Sequence, residues 1–365
     1  MKSKRKLLVI CPFPQGVAAG QRLKYEQYFD HWRSEGFTIK VSSFMDLAMW
    51  KIVYSKGKNI GKIIGTIRGF IRTWLTVCTV PFYDGVYIFM YVAPIGTSLP
   101  ERVTRLLAKK IVLDIEDNVM GEQKVGMNFI TRLLRSKGKF DYLIRKADHV
   151  ITSSSFLNDD CLKANEKGKC TYISSSMDTA RFTVVNEYNN NDKVVIGWTG
   201  TFSSSVYLDL LRPVFLELKK QRDFKLLVIG NFEYDFPEMD LEVIQWTAKD
   251  EVTDLQRFDI GVYPLPFDDW VLGKSGLKAI QYMTIGIPAV ATNVGTSPML
   301  ITNMENGCLV KTEEDWVSTL KFLIDNPETR KVIGTAARKT ILEKYSKEAI
   351  KHQYLDVLNS TIKNR

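Results

Sequence analysis

The sequence is short of the residues from which metal centres, disulfide scaffolds and membrane spans are built. Its 365 residues contain three histidines and five cysteines, and no two cysteines form a C-x-x-C pair. This argues against a disulfide framework, a zinc ribbon and a histidine-rich catalytic metal site. No uninterrupted apolar run reaches the roughly 18 residues of a transmembrane helix, and the first run, Leu7–Ile10, is too short for a secretory signal. We therefore expect a soluble, cytoplasmic protein.

Acidic residues are missing from one long segment. Residues 1–185 carry 29 Lys and Arg against 16 Asp and Glu, a net charge of +13, whereas residues 186–365 carry −4. No acidic residue lies between Asp46 and Asp84, and six basic residues there are interleaved with aromatic ones. Such a segment attracts anions, and we expect residues 50–74 to dock on an anionic membrane surface. The alternative is an ordinary helix with a solvated basic face and its aromatic side chains turned to the core.

What the chain does have is a regular alternation of apolar runs and amphipathic stretches. The alternation predicts the class α/β, with parallel sheets and crossover helices, and the length predicts two domains. We expect two doubly wound Rossmann-like domains facing a cleft, residues 1–185 and residues 186–342. A C-terminal helix, residues 343–365, is expected to pack back on the first domain. The polar stretch Glu187–Asp192 is the predicted linker.

The predicted elements follow one another along both halves. The predicted strands are Leu7–Ile10, Thr38–Ser42, Val86–Tyr91, Lys110–Asp114, His149–Thr152, Cys170–Ile173, Val194–Trp198, Phe224–Ile229, Glu242–Trp246, Asp259–Tyr263 and Ala289–Thr292. The predicted helices are Gln21–Glu35, Pro100–Ala108, Ile130–Lys146, Ser155–Asn165, Tyr207–Gln221, Ser275–Ile285, Glu313–Asp325 and residues 327–362. Ligands of such sheets bind at the carboxyl ends of the strands, so the loops after strands are the candidate sites.

The most informative loop lies within residues 259–292, which read as a buried strand, a loop, a helix start and a second buried strand. Ser275 is placed to cap the helix, and Gly276 removes side-chain bulk where free backbone N–H groups converge. Such a helix start binds anions, because its dipole and its amides act together. Lys274 precedes the cap and adds a positive charge. The pattern predicts a phosphate site; the alternative is a solvated helix end.

Two more polar residues follow on the same predicted helix. Lys278 lies three residues after Ser275, and Gln281 three further, about one turn each. Lys278 adds a second cation, and Gln281 offers an amide to hydroxyls of a ribose or a sugar. The alternative is that both are plain surface residues.

The first half offers a glycine-containing loop after its first strand. Gly16 allows a close backbone approach to a ligand, as does Gly20, and Arg22 is placed to reach a phosphate. The spacing is not that of a dinucleotide-binding G-x-G-x-x-G motif, so the loop by itself says little about the ligand.

An acidic cluster ends a predicted strand of the first half. Asp114 and Glu116 share one strand parity, and Asp117 starts the loop. A carboxylate at a strand end either orients or deprotonates an acceptor hydroxyl, or it caps the next helix. His149 lies inside an apolar run, which indicates a structural histidine rather than a catalytic one.

Several stretches resemble one family. Residues 273–283 read G-K-S-G-L-K-A-I-Q-Y-M, which resembles the donor-binding region of retaining glycosyltransferases of GT-B fold, glycosyltransferase family 4, in the form found in a polysaccharide-biosynthesis subgroup. Many members carry two glutamates here with seven residues between them, where this chain has Gly273 and Gln281. Other resembling stretches are residues 147–153, 176–182, 195–200 and 306–310.

The resemblance implies roles for further residues. A nucleoside diphosphate-sugar presents two phosphates, and the turn at Gly200 and Thr201 suits one of them; the alternative is a plain capped turn. Relatives place Arg and Lys soon after this turn, but residues 200–211 contain neither, so Lys274 and Lys278 are the expected replacements. Trp246 lies where the family holds the nucleobase, unless it is a packing residue.

The function that the resemblance implies is transfer of a sugar from a nucleotide-diphosphate donor to a glycan or lipid-linked glycan acceptor. Retention and cell-surface polysaccharide or lipopolysaccharide biosynthesis are further implications. We expect no essential metal, because no D-x-D motif is positioned to hold one, and no other cofactor. The predicted catalytic residues are Asp117, Glu116 and Lys274, the last stabilising the leaving diphosphate.

Two other classes of protein remain open. An inactive sugar-nucleotide-binding or scaffold relative is one, because both family glutamates and the usual basic clamp are absent. A nucleic-acid-binding protein is the other, suggested by the pI of about 9.1, but no nucleic-acid motif accompanies the charge.

Overall fold

The computed structural model describes residues 4–53, 55, 57–116, 137–184 and 193–362. The chain divides into two compact units: unit 1 comprises Met1–Ser174 and Ile350–Arg365, and unit 2 comprises Ser175–Ala349. Each unit holds a six-stranded sheet, and the neighbouring strands of both sheets are parallel. The predicted α/β class is therefore confirmed. The predicted linker, Glu187–Asp192, lies outside the described residues.

The inner strands of unit 1 are covered on both faces. The strands are β1 (Arg5–Cys11), β2 (Phe37–Ser43), β3 (Gly85–Phe89), β4 (Ile111–Ile115), β5 (His149–Thr152) and β6 (Cys170–Tyr172), in the order β2-β1-β3-β4-β5-β6. Leu7 and Val9 of β1 lie in one core cluster, and Leu8 and Ile10 in another. Each predicted strand of this half is present; the inner strands read as continuous apolar runs because both of their faces are buried.

The helices of unit 1 differ more from expectation. They are α1 (Ala19–Arg22), α2 (Phe29–Ser34), α3 (Leu47–Val53), α4 (Asn59–Thr79), α5 (Leu99–Leu107), α6 (Lys137–Lys146) and α7 (Ser155–Ala164), with 3₁₀ turns at Glu26–Tyr28 and Val80–Phe82. The predicted helix Gln21–Glu35 is broken into α1, a 3₁₀ turn and α2. The longest helix, α4, was not predicted. Of the predicted helix Ile130–Lys146, residues 130–136 lie outside the described chain.

Unit 2 repeats the architecture. Its strands are β7 (Val194–Gly200), β8 (Phe224–Gly230), β9 (Leu241–Gln245), β10 (Ile260–Tyr263), β11 (Ala289–Thr292) and β12 (Cys308–Val310), in the order β12-β11-β10-β7-β8-β9. Its helices are α8 (Ser205–Leu208), α9 (Arg212–Lys219), α10 (Glu251–Leu255), α11 (Leu277–Thr284), α12 (Ser297–Leu300), α13 (Glu313–Asp325) and α14 (Pro327–Thr340). The last helix, α15 (Lys347–Thr361), begins in unit 2 and belongs to unit 1 from Ile350 onward. Short 3₁₀ turns lie at Phe202–Ser204, Asp209–Leu211 and Asp269–Gly273, and a π turn at Ile341–Tyr345.

Two predicted helices of the second half are interrupted. The prediction Tyr207–Gln221 is divided by the 3₁₀ turn Asp209–Leu211, and residues 327–362 are divided by the π turn before α15. The later part of α15 packs into the core of unit 1, where the ring centre of Tyr354 lies 6.0 Å from that of Trp32. At the end of this helix Arg5 donates a hydrogen bond to the Ile362 carbonyl over 3.1 Å.

The strand orders define where ligands bind. In unit 1 the first strand, β1, lies between β2 and β3; in unit 2 the first strand, β7, lies between β8 and β10. The order of the chain reverses at β1/β3 and at β7/β10, and open α/β sheets bind ligands outside the carboxyl ends of the strands at such switch points.

Candidate functional site

A tyrosine separates the carboxyl ends of β7 and β10. The two strands pair only at residues 260 and 261 of β10. Beyond that point, the Tyr282 hydroxyl of α11 accepts a hydrogen bond from Thr199 N–H over 3.1 Å and donates one to the Val262 carbonyl over 3.4 Å. The Tyr282 ring lies against Gly261, where a Cβ would come within 2.3 Å of it. At the switch point of unit 2 the Tyr282 side chain thus takes the place of the next backbone hydrogen bonds between β7 and β10.

Lys278 brings a positive charge to the same point. Its Nζ lies 5.4 Å from the ring centre of Trp198 on β7 and 5.7 Å from that of Tyr263 on β10. Cation–π contacts with both rings hold the ammonium in place. The Trp198 ring lies over Gly200, where a Cβ would come within 2.3 Å of it. One aromatic ring from each flanking strand therefore fixes Lys278 at the carboxyl edge of the sheet.

The start of α11 differs from the prediction in its cap. Gly276, not Ser275, is the N-cap; it adopts the left-handed conformation with φ 74°, and no side chain caps the helix. A Cβ on Gly276 would lie 2.4 Å from Cδ1 of Leu300, so the close packing also requires glycine. Ser275 is buried instead. Because the cap supplies no oxygen, the first N–H groups of the helix remain the anion-binding feature.

The other predicted residues on this segment lie on either side of Lys278. The Lys274 carbonyl accepts a hydrogen bond from the Thr296 hydroxyl over 2.5 Å, and its Nζ lies 5.8 Å from the centre of the Trp270 ring. Gln281 is 7% exposed, so it is not the plain surface residue of the alternative interpretation.

The turn after β7 is held by its own hydroxyl groups. Thr201 caps the 3₁₀ turn: its Oγ1 lies 3.0 Å from Ser203 Oγ, and its N–H donates to Ser204 Oγ over 3.1 Å. The first basic residue after this turn, Arg212, is paired with Asp209 at 2.8 Å. The predicted phosphate role of Thr201 and Gly200 stays a prediction, and the capped-turn alternative describes the geometry as it stands.

Further features lie along the same edge of unit 2. Trp246 follows β9 and is half-buried. Its backbone N–H donates a hydrogen bond to the Gly230 carbonyl at the end of β8 over 2.7 Å. Its predicted contact with a nucleobase stays a prediction. Toward the opposite end of the sheet, a hollow of about 370 Å³ is lined by residues that include Asn293, Lys311 and Asp315.

In unit 1 the glycine loop is organised by a glutamate that the sequence analysis missed. The Gly16 N–H, which was expected to approach a ligand, donates to Glu26 Oε2 over 2.8 Å. Burial raises the pKa of Glu26, partly offset by this hydrogen bond and by the charge of Arg22. A Cβ on Gly20 would lie 2.0 Å from Glu116 Oε2, so the loop and the acidic cluster are in contact.

The acidic cluster of unit 1 is divided between core and edge. Asp114 is fully buried, forms an ion pair with Lys24 and accepts a hydrogen bond from the Tyr87 hydroxyl. Burial raises the pKa of Asp114, and the Lys24 ammonium opposes the rise. Glu116 follows β4, and its carbonyl accepts from Ser153 Oγ over 2.5 Å. Asp117, a predicted catalytic residue, lies outside the described residues.

Comparison with protein families gives a match within unit 2. Residues 193–326 are similar to the family described as Glycosyl transferases group 1. The matched residues make up most of unit 2. The match contains β7 to β12 and α11, and so includes Lys278 and its two rings. No match was found among curated proteins.

Solved structures show the fold of the whole chain. Sucrose-phosphate synthase from Thermosynechococcus elongatus is similar with a TM-score of 0.74 and 14% identity, over 98% of this chain and 99% of that one. HepE from Anabaena, in complex with UDP and glucose, gives a TM-score of 0.69 and 14% identity over 98% and 100% of the two chains. The lipopolysaccharide outer core galactosyltransferase WaaB gives 0.63 and 14% over 97% and 99%. The predicted GT-B fold is confirmed.

Proposed function

We propose that the chain transfers a sugar from a nucleoside diphosphate donor, and that the donor diphosphate binds beside Lys278 at the carboxyl edge of unit 2. One observation carries the proposal: the Lys278 ammonium lies on Trp198 and Tyr263, one ring from each strand of the switch point, in the first turn of α11. An ammonium and helix amides stabilise a diphosphate, and they stabilise it more as the leaving group gains charge.

Neighbouring residues complete the proposed donor site. Lys274 supplies a second cation before the helix, and Gln281 an amide one turn beyond Lys278. Trp246 is proposed to contact the base, and Thr201 with Gly200 a phosphate oxygen. Two lysines at the leaving group supply the charge that a divalent ion provides in other transferases, so we propose that no metal is required. Among the described residues, no group of three or more His, Cys, Asp or Glu could hold one.

Uridine nucleotides are the first donors to test. Structures of HepE contain UDP and UDP-glucose, and WaaB is named as a lipopolysaccharide galactosyltransferase. We therefore propose a UDP-hexose donor and a glycan or lipid-linked acceptor in cell-surface polysaccharide biosynthesis, with retention of configuration. On the acceptor side, Glu116 and Asp117 are proposed to orient the attacking hydroxyl.

Thermal unfolding with a panel of UDP, GDP, ADP, CMP and their sugars tests the donor site. A nucleotide at roughly 100 times its Kd stabilises the wild type by about 2.7 kcal/mol. Loss of a charged contact to the diphosphate costs about 1.5–3 kcal/mol, so Lys278→Ala should weaken binding roughly tenfold to a hundredfold. Lys331→Ala, which removes an exposed lysine of α14, is the matched control and should bind as the wild type does.

Turnover separates the enzyme from an inactive relative. The sugar conjugate of the nucleotide that stabilises the protein most should be hydrolysed slowly, or its sugar should be transferred to a glycan acceptor, in both cases with release of the nucleoside diphosphate. Thermal stabilisation without any release of the nucleoside diphosphate would favour an inactive sugar-nucleotide-binding relative. If no nucleotide stabilises the protein, the proposed donor site is contradicted.

A further inference from the structure

Helix α4 exposes a long apolar stripe on the surface of unit 1. The helix has 21 residues, about 32 Å in length. Large apolar side chains are exposed along it and just beyond it, between 37% at Trp74 and 76% at Ile60: Ile60, Ile63, Ile64, Ile67, Ile71, Trp74, Leu75 and Phe82. Their spacing of three and four residues places them on one face. Monomeric soluble proteins rarely expose a contiguous apolar surface of this extent without a partner for it.

The opposite face of α4 attaches the helix to unit 1 through small residues. Gly65, Gly69, Thr73 and Val77 recur every four residues and are buried. A Cβ on Gly65 would lie 2.8 Å from Met49 Cγ, and one on Gly69 would lie 2.7 Å from the Phe44 ring. The small residues therefore let α4 approach its neighbours closely. The apolar stripe points away from the core of the unit.

Polar contacts fix this orientation. Arg72 donates to the carbonyls of Ser43 and Phe44 over 3.1 and 2.9 Å and pairs with Asp46 at 3.2 Å. Lys62 donates to the Ser55 carbonyl over 2.7 Å. The segment Asn59–Phe82 is long and apolar enough to cross a membrane, and 28% of its apolar 18-residue window is buried in the unit. Crossing would break these contacts and carry the three charged side chains of the segment, Lys62, Arg68 and Arg72, into the bilayer, which is costly. The geometry favours a helix lying along a surface.

We propose that α4 docks unit 1 on an anionic membrane, with its apolar stripe entering the boundary between headgroups and acyl chains. The charge around the stripe selects this occupant. No acidic residue occurs between Asp46 and Asp84, and Lys51, Lys58 and Arg68 are exposed beside or before the helix. A basic helix with an apolar face is the type that binds anionic lipid in the interface plane. A second copy would bring like charges together at the same face, which opposes self-pairing.

This proposal does not depend on the donor site in unit 2. It does explain how the chain would meet a lipid-linked acceptor, because binding through α4 holds unit 1 at the surface where such an acceptor resides. The segment that the sequence predicted to dock on a membrane, residues 50–74, overlaps the apolar stripe, but the stripe extends further along the chain, to Phe82.

Vesicle flotation tests the proposal on the full chain. We expect the wild type to float with phosphatidylglycerol-containing vesicles at low salt and to stay in the bottom fraction with phosphatidylcholine alone. The double variant Ile67→Glu, Ile71→Glu should lower the partition coefficient roughly tenfold or more, because two apolar side chains no longer enter the interface. The control pair Leu106→Glu, Val332→Glu changes side chains that are 83% and 66% exposed outside the stripe and should float as the wild type does.

A fluorophore on Cys78 measures whether the stripe enters the membrane interface. Cys78 is exposed on α4 and lines a hollow with Ile71 and Trp74, whereas Cys11, Cys161 and Cys308 are buried and Cys170 is half-buried, so labelling is carried out in the Cys170→Ser background. An environment-sensitive fluorophore on Cys78 should shift to shorter wavelength with anionic vesicles and not with neutral ones. Circular dichroism and thermal melting check that each variant is folded.

Three results would overturn the proposal. One is equal flotation of the stripe variant and the wild type. Another is absence of binding to anionic vesicles at low salt. The last is a dimer by analytical ultracentrifugation that the stripe variant breaks, which would assign the stripe to a second copy of the chain.

Discussion

Removing one oxygen atom should destabilise unit 2 at its switch point. In the variant Tyr282→Phe the ring stays over Gly261, but Thr199 N–H and the Val262 carbonyl lose the hydroxyl that bonds both, at 3.1 and 3.4 Å. Thr199 is 8% exposed and Val262 fully buried, so water does not readily replace the hydroxyl. A buried polar group left without a partner costs about 1–3 kcal/mol. Taking about 2 kcal/mol, a unit of this size should lose roughly 4–8 °C in Tm.

Differential scanning calorimetry and hydrogen exchange measure this effect. Tyr345→Phe is the control, since its hydroxyl donates to the Met299 carbonyl over 3.3 Å at an exposed site, and its Tm should change by about 1 °C at most. Exchange at Thr199 should also accelerate in the Tyr282 variant. An unchanged Tm for Tyr282→Phe, with unchanged exchange along β7, would refute the idea that the hydroxyl joins the two strands.

Three further perturbations follow from contacts on either unit. Asp114→Asn leaves the Lys24 ammonium buried without its carboxylate and should destabilise unit 1 by about 3–5 kcal/mol in denaturant unfolding. Gly276→Ala puts a Cβ at φ 74° against Leu300 and should cost about 1–2 kcal/mol, read as a lower Tm. Burial lowers the pKa of His149 from 6.5 to about 4; between those values the unfolded chain binds the extra proton, so stability should fall as pH falls through that window, and His149→Gln should flatten the slope.

The inner strands were predictable because burial on both faces produces a continuous apolar run in the sequence. β5 and β11 have the predicted bounds, His149–Thr152 and Ala289–Thr292, and the other predicted strands are displaced at their ends by one or two residues. Continuous apolar runs between polar loops suffice for such strands, and the alternation with helices gives the parallel sheet.

The helices were less predictable where tertiary contacts override local pattern. The predicted helix Gln21–Glu35 is interrupted around Lys24, whose ammonium is turned inward to Asp114. An ion pair between residues 90 positions apart leaves no periodic signal. Helix α4 was not predicted because of its own residue pattern. Its buried face is made of Gly65 and other small residues and its exposed face is apolar, which inverts the amphipathic pattern on which helix prediction depends.

Part of the candidate site was predicted from the sequence. Spacing alone placed Lys278 near the start of a helix, and the structure agrees. The two rings beneath its ammonium, Trp198 and Tyr263, were not predicted, because which strands are neighbours depends on the sheet order and not on sequence distance. Glu26 was not predicted for a related reason. Its hydrogen bond with the Gly16 N–H depends on the folded conformation of the loop, which the sequence spacing does not indicate.

Hydrogen exchange with and without the nucleotide that stabilises the protein most, beginning with UDP, shows directly whether that nucleotide binds at Lys278. We expect slower exchange in residues 198–204 and 274–281, and loss of that protection in Lys278→Ala. Protection confined to residues 293–311, beside the hollow near Lys311, would place the nucleotide at the other end of the sheet edge and contradict the proposed site at Lys278.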